Sequence, residues 1–189
     1  MKRSRGVALF CLLIAGAAVA DTGSVREAQT VNTLVVYYSL TGKTDVVART
    51  LARELNADIR RVEDVAAPSV SWWFYIRAGF AAKRGKETEI KPIDAGFRGY
   101  DRIFIGSPVW GGGPSTPINA FIGKADFTGK EVVLFMTMGG KDASAALKTM
   151  GTRIEAKGGK IAGSFSFTSR KTTNEELAAK TREMAEHYR

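Results

Sequence analysis

Val35-Val36-Tyr37-Tyr38-Ser39-Leu40-Thr41-Gly42-Lys43-Thr44 changes character twice within a few residues. Its first half continues Leu34 into a short, β-rich apolar run bounded by turn residues, the signature of a strand buried on both faces. Its second half is a hydroxyl-rich loop with one glycine. Beyond it Val46, Val47, Thr50, Leu51 and Leu55 recur at helical spacing, with Asp45, Arg49, Arg53 and Glu54 turned outward. A polar loop running into a helix N-terminus presents free backbone N–H groups and the positive end of the helix dipole, which together favour an anion. Gly42 lets the backbone close around that anion. The hydroxyls of Ser39, Thr41 and Thr44 add donors without a long side chain, which suits a terminal monophosphate. Lys43 either touches the anion or is a solvated surface lysine.

The same alternation continues along the chain. Ala57 to Glu63, around Ile59 and Val62, reads as a second strand, and Asp101 to Gly106 as a buried third one. Thr116 is placed to cap a helix over Pro117 to Lys124, with proline at the first helical position, where its missing N–H is not needed. Val132 to Met136 repeats the strand pattern, Ala143 to Lys157 the helix pattern, Lys160 to Thr168 gives a last strand, and Asn174 to Tyr188 a charged helix. Between Ser69 and Lys91 the residues suggest a helix followed by a loop. There the Trp72 to Tyr75 cluster reads as packing on a helix face, with a lid or a membrane-interface contact as alternatives, and Lys83-Arg84-Gly85-Lys86 as a solvated turn. Strands alternating with helices predict an α/β fold: a parallel sheet with right-handed crossovers in a three-layer sandwich. In such a sheet ligands sit beyond the carboxyl ends of the strands, so the residues after each strand carry the chemistry.

Composition sets limits. The chain has 189 residues, 44% of them hydrophobic, which describes one globular domain. Its one histidine, His187, and one cysteine, Cys11, cannot assemble a Cys/His metal site, a disulfide or a Ser-His-Asp triad. Lys2, Arg3 and Arg5 precede an apolar stretch from Gly6 to Ala20 ending Ala18-Val19-Ala20, the layout of a signal peptide cleaved after Ala20, followed by a polar tether over residues 21–32. That predicts an exported protein, in bacteria a periplasmic one, with the folded domain over 33–189. Net charge is +9, with 28 Lys plus Arg against 19 Asp plus Glu, and losing three leader cations leaves (28 − 3) − 19 = +6. Nothing resembles a nucleic-acid recognition motif.

Competing phosphate motifs fail on spacing. A Walker loop would need glycine where Tyr37 stands, a receiver domain would need an aspartate near Gly106-Ser107-Pro108, and no G-x-G-x-x-G follows a strand. The loop and its flanks do match, at every constrained position, the strand, S/T-x-x-G-x-T loop and first helix of the flavodoxin family. Gly106-Ser107-Pro108-Val109-Trp110-Gly111-Gly112-Gly113-Pro114, leading to Pro117-Ile118-Asn119-Ala120-Phe121, resembles the segment that family places against the isoalloxazine ring. Met136-Thr137-Met138-Gly139-Gly140-Lys141-Asp142 is similar to the loop on the ring's other side.

This resemblance implies a short-chain flavodoxin-like sandwich with five parallel strands in the order 2-1-3-4-5, binding FMN. The implied cofactor-binding residues are Ser39, Leu40, Thr41, Gly42, Lys43 and Thr44 around the phosphate, and Ser107, Pro108, Val109, Trp110, Gly111, Gly112, Thr137, Gly139 and Gly140 around the ring. The residues themselves point the same way, since Trp110 offers a π-face for a flat heterocycle, and Gly111 to Gly113 and Gly139-Gly140 allow backbone to approach ring edges. No protein acid or base stands out as catalytic, as expected where a flavin does the chemistry, and Tyr38, Ser107 and Asp142 are candidates only for supporting roles. The expected activity is electron transfer or reduction of a small acceptor such as a quinone, with NAD(P)H or a protein as redox partner and at most peripheral membrane contact. Basic charge sets the chain apart from acidic flavodoxin carriers and should oppose an anionic reduced flavin less, favouring two-electron chemistry. The alternative is a non-catalytic binding module that keeps the fold without flavin.

Overall fold

The computed structural model describes residues 31–66, 72–140 and 142–189, apart from the side chains of 72–76. The leader and most of the tether, the Trp72 to Tyr75 side chains and Lys141 therefore lie outside the described residues.

The first strand, β1 (Thr33–Tyr37), is buried along its whole length because it lies at the switch of the sheet with a neighbour on each side. The second, β2 (Asp58–Arg61), pairs with it from Leu34↔Asp58 to Tyr37↔Arg61, and the third, β3 (Arg102–Trp110), pairs on the other side from Thr33↔Arg102 to Tyr37↔Gly106. After a two-residue strand β4 (Gly113–Pro114) come β5 (Glu131–Met138) and β6 (Lys160–Thr168), giving the parallel order β2-β1-β3-β5-β6. Leaving β4 aside, that is the 2-1-3-4-5 order expected from sequence. β6 is continuous from Lys160 to Thr168, with one extra residue, Ala162, where its register against β5 shifts.

Period-two alternation in the strands divides the core between two faces. Val35, Tyr37, Phe104, Val133 and Phe135 point to one face, where α1 (Lys43–Glu54) and α5 (Asn174–Ala185) cover them through Val47, Ala48, Leu51 and Leu177. Leu34, Val36, Ile103, Ile105 and Leu134 point to the other, under α2 (Trp72–Lys83), α3 (Thr116–Lys124) and α4 (Ser144–Glu155), which contribute Ala78, Ala82, Phe121, Met150 and Ile154. No helix among the described residues is long and apolar enough to cross a membrane.

Several expectations need correction. The third strand does not end at Gly106 but continues through Ser107-Pro108-Val109-Trp110, and the supposed loop is a β-hairpin whose two turn residues, Gly111 and Gly112, have φ of 54° and 86°. Both positions of such a turn require positive φ, which glycine adopts without strain. The cap of α3 is Ser115 rather than Thr116, so Pro117 sits one position further in. Ile59 is 39% exposed, because β2 is an edge strand covered less than the centre. The predicted helix over Ala143 to Lys157 is trimmed to α4, and the last ends at Ala185 with a 3-10 turn over Glu186–Tyr188, whereas the helix and loop expected between Ser69 and Lys91 are found as α2 and the residues after it.

Candidate functional site

The loop between β1 and α1 is built around Gly42, whose φ of 86° lets the chain turn sharply into the helix. The amide of Gly42 donates to Ser39 Oγ at 3.1 Å, which fixes the loop from within. No side chain caps α1, so the amides of its first turn keep the unsatisfied donors that every helix start has. Thr44 is 1% exposed and shares a 2.8 Å hydrogen bond between its Oγ1 and that of Thr137 on β5. The hydroxyls of Ser39 and Thr44 thus have protein partners already. Lys43 is half-exposed, and its Nζ donates to the Thr172 carbonyl at 2.8 Å and to Asn174 Oδ1 at 2.9 Å, tying this loop to the turn before α5.

These elements enclose a cleft of about 310 Å³ at the carboxyl ends of β1, β3 and β5. That is near the lower limit, about 300 Å³, for small-molecule sites. Leu40, Thr41 and Lys43 form one wall, Pro108, Val109, Trp110 and Gly111 a second, and Thr137, Met138 and Gly139 a third. A Cβ on Gly139 would meet nothing within 4 Å, so this wall is open backbone. Of the other predicted residues, Ser39 and Thr44 are buried behind the first wall, while Gly42, Gly112 and Gly140 are exposed.

Two predicted residues play different parts. Ser107 is fully buried: its hydroxyl donates to the Pro108 carbonyl and accepts from the Ser115 amide at 2.9 Å, so it braces the hairpin against the start of α3 instead of facing the cleft. Trp110 lines the cleft but is only 6% exposed; its ring meets Tyr38 edge-on, with centroids 5.7 Å apart at 90°. An indole held this way is mainly a core ring. The glycines of the hairpin also answer to the protein, because a Cβ on Gly111 would come within 2.5 Å of the Gly79 carbonyl and one on Gly113 within 2.7 Å of Ala82. They let the backbone of α2 approach the hairpin.

Met138, part of the third loop but not among the implied binding residues, lines the cleft, and so does Ser169, which was not foreseen. Ser169 follows the end of β6 and donates from both its amide, at 2.7 Å, and its hydroxyl, at 3.0 Å, to the Met138 carbonyl. The rule that sites follow strand ends points to it, but its sequence has no motif. Asp142 accepts from the amide and hydroxyl of Ser144, which hold its carboxyl below the ordinary range. It is a helix-start brace.

Charge beneath the first loop is balanced locally. Burial, reinforced by a 2.5 Å hydrogen bond donated to Asp45, pushes the Tyr37 phenol up to about 12. Burial alone would raise Asp45, but the bonds from Tyr37 and Arg49 win and lower it. Tyr38 is pushed up to about 12, chiefly by burial and then by the charge of Asp64. Neither phenol is set to exchange protons near neutral pH.

The sequence profile of the flavodoxin family matches residues 32–177. No curated protein matches the chain. Among solved structures, a Bacteroides uniformis protein assigned provisionally as a flavoprotein is similar at a TM-score of 0.66 and 24% identity, over 79% of this chain and 96% of that one. A Lactobacillus acidophilus flavoprotein in complex with FMN is similar at a TM-score of 0.59 and 26% identity, over 71% and 92%. Oxidised Flavodoxin 2 from Bacillus cereus, at a TM-score of 0.55 and 16% identity over 83% and 97%, shares the fold.

Proposed function

The chain belongs to the flavodoxin family, and from that membership we propose that it binds FMN in the cleft between Leu40, Val109 and Met138 and acts as a redox protein. It passes electrons to or from a partner, or reduces a small acceptor such as a quinone. The observation that carries this reading is the uncapped start of α1 at Gly42, opening beside a cleft whose other walls are largely apolar. An anion held by backbone amides with a flat apolar ring beside it fits that combination.

FMN, when bound, supplies the electron chemistry; the chain supplies position and field. The amides from Thr41 to Asp45 would receive the phosphate, with the hydroxyls of Thr41, Ser39 and Thr44 near it. Leu40, Val109 and Met138 would exclude water from the ring, and Gly139 would let backbone reach its edge. Trp110 would support the ring from below, firmly held by Tyr38. With a net charge of (28 − 3) − 19 = +6 once the leader cations are gone, the protein opposes added negative charge on a reduced cofactor less than an acidic carrier would. The leader-like segment supports export to the periplasm, where NAD(P)H-linked or quinone-linked partners would be met.

The test is reconstitution. Purified protein mixed with excess FMN and desalted should stay yellow and quench flavin fluorescence. Changing Ser39→Ala and Thr44→Ala together should weaken FMN by about 1–3 kcal/mol, the range for hydrogen bonds to a charged group. Colourless protein after desalting would remove the redox reading and leave a binding module on the same scaffold.

A further inference from the structure

Helix α2 has two unlike faces. Inward, Ala78, Gly79 and Ala82 are buried, with Gly79 and Ala82 so close to the hairpin that Gly111 and Gly113 could not carry side chains. Outward, Arg77, Phe80 and Lys83 are exposed, their spacing of three placing them on one stripe, and Arg84, just past the helix end, is exposed as well. Phe80 is 63% exposed, more than Val31, Ile59 or Val65, the other large apolar residues left open on the described surface. Residues 72–86 contain four cations, Arg77, Lys83, Arg84 and Lys86, and no carboxylate. The acid that follows, Glu87, is occupied by Arg153 at 2.7 Å, and among the described residues these four cations form no ion pair.

We propose that this outer face of α2 docks on an anionic lipid bilayer. A protruding phenyl ring among cations that form no ion pair with the described residues suits a bilayer surface, where the ring can enter the boundary between headgroups and acyl chains while the cations meet lipid phosphates. An acidic protein partner fits less well. The apolar element is one side chain on a convex helix, and a stable protein interface needs roughly 1,200 Å² or more of matched surface. Docking also has a consequence for the cleft. Gly111 belongs to its wall and rests on Gly79, so a bilayer under α2 lies one helix away from the site, where a lipid-soluble acceptor would be met. That last step rests on the redox reading; the docking does not.

The experiment is co-sedimentation of the FMN-reconstituted protein with vesicles of phosphatidylcholine alone or with about one third phosphatidylglycerol. Comparing variants of one chain cancels any contribution from residues 1–30. Partition onto the anionic vesicles should be stronger and should fall with added salt. Lys83→Gln with Arg84→Gln should lower it about thirtyfold, the effect of removing two juxtamembrane cations, and Phe80→Ser by about tenfold or more. Circular dichroism and flavin retention should not change in either variant. Equal partition onto both vesicle types, or a charge-neutralised variant that partitions like the parent, overturns the proposal. Loss of flavin with lipid binding intact removes the redox reading alone, and loss of lipid binding with flavin intact removes the docking alone.

Discussion

Thr44 and Thr137 offer the sharpest test of how the cleft is held together. Their hydroxyls are 2.8 Å apart, and the residues are 1% and 3% exposed. Valine replaces the hydroxyl of threonine by a methyl of nearly the same shape, so Thr44→Val leaves the Thr137 hydroxyl without its partner in a site shielded from water. Stranding one buried hydroxyl costs about 1–3 kcal/mol, and partial access from the cleft puts this case toward the lower end. Thr137→Val should cost a similar amount, for the same reason in reverse. The double variant strands neither group, so its loss should be smaller than the sum of the singles by about 1 kcal/mol. Urea unfolding followed by circular dichroism gives all four stabilities, and a shifted midpoint with unchanged slope shows that the comparison is sound. Repeating the cycle in saturating FMN adds a second reading. If phosphate draws the Thr44 hydroxyl away from Thr137, the coupling should shrink while Thr44→Val weakens FMN. Losses that add to within about 0.3 kcal/mol without ligand would refute the reasoning, because the two hydroxyls would then not depend on each other.

Other outcomes follow from the same structure. A Cβ at position 106 would lie 2.1 Å from the Phe135 ring, so Gly106→Ala should destabilise by about 3 kcal/mol or more, and adding Phe135→Leu should restore part of the loss in the same urea assay. The Tyr37 phenol, raised to about 12 in the folded chain, favours the protonated form there; its contribution is fully present below about pH 10 and is lost as pH climbs toward 12. Asp45 is lowered, so its contribution is present above about pH 4 and is lost as pH falls further. Asp45→Asn should therefore flatten stability at both ends and shift the phenol's ultraviolet titration to lower pH. Thr173 caps α5 by accepting from the Glu176 amide while the Glu176 carboxylate accepts from the Thr173 amide, so Thr173→Ala should cost about 1 kcal/mol in thermal unfolding.

The sheet was readable because its evidence is redundant. Leu34 to Tyr37, Ile103 to Ile105 and Val132 to Met136 are continuous apolar runs that only a doubly covered strand can bury, and each is followed by turn chemistry at the same end. Edges and ends were less readable. Ser107 to Trp110 looks like a loop because it contains proline and leads into three glycines, yet it continues the strand: Ser107 and Pro108 keep register with Met136 and Thr137, and a hairpin then folds β4 back on Val109 and Trp110. The capping box of α5 was present in the sequence as Thr173 and Glu176, three residues apart, and needed no tertiary information.

The site divides along the same line. Gly42 was legible because a left-handed residue before a helix has a local cause. The glycines of the hairpin were not, because their cause is a helix more than twenty residues earlier in the chain: Gly111 must accommodate Gly79, and Gly113 must accommodate Ala82. A glycine that makes room for a ligand and one that makes room for a helix look the same in sequence. The two uses make opposite predictions. Gly139→Ala adds a methyl that meets no protein atom within 4 Å, so it should leave stability within about 0.5 kcal/mol and act on FMN affinity alone. Gly111→Ala forces a positive φ of 54° and a 2.5 Å approach to the Gly79 carbonyl, so it should lower stability by several kcal/mol before any ligand is added. If Gly111→Ala instead left the midpoint of urea unfolding unchanged, α2 would not be seated on the hairpin, and the run from Gly111 to Gly113 would have to be reassigned to the ligand.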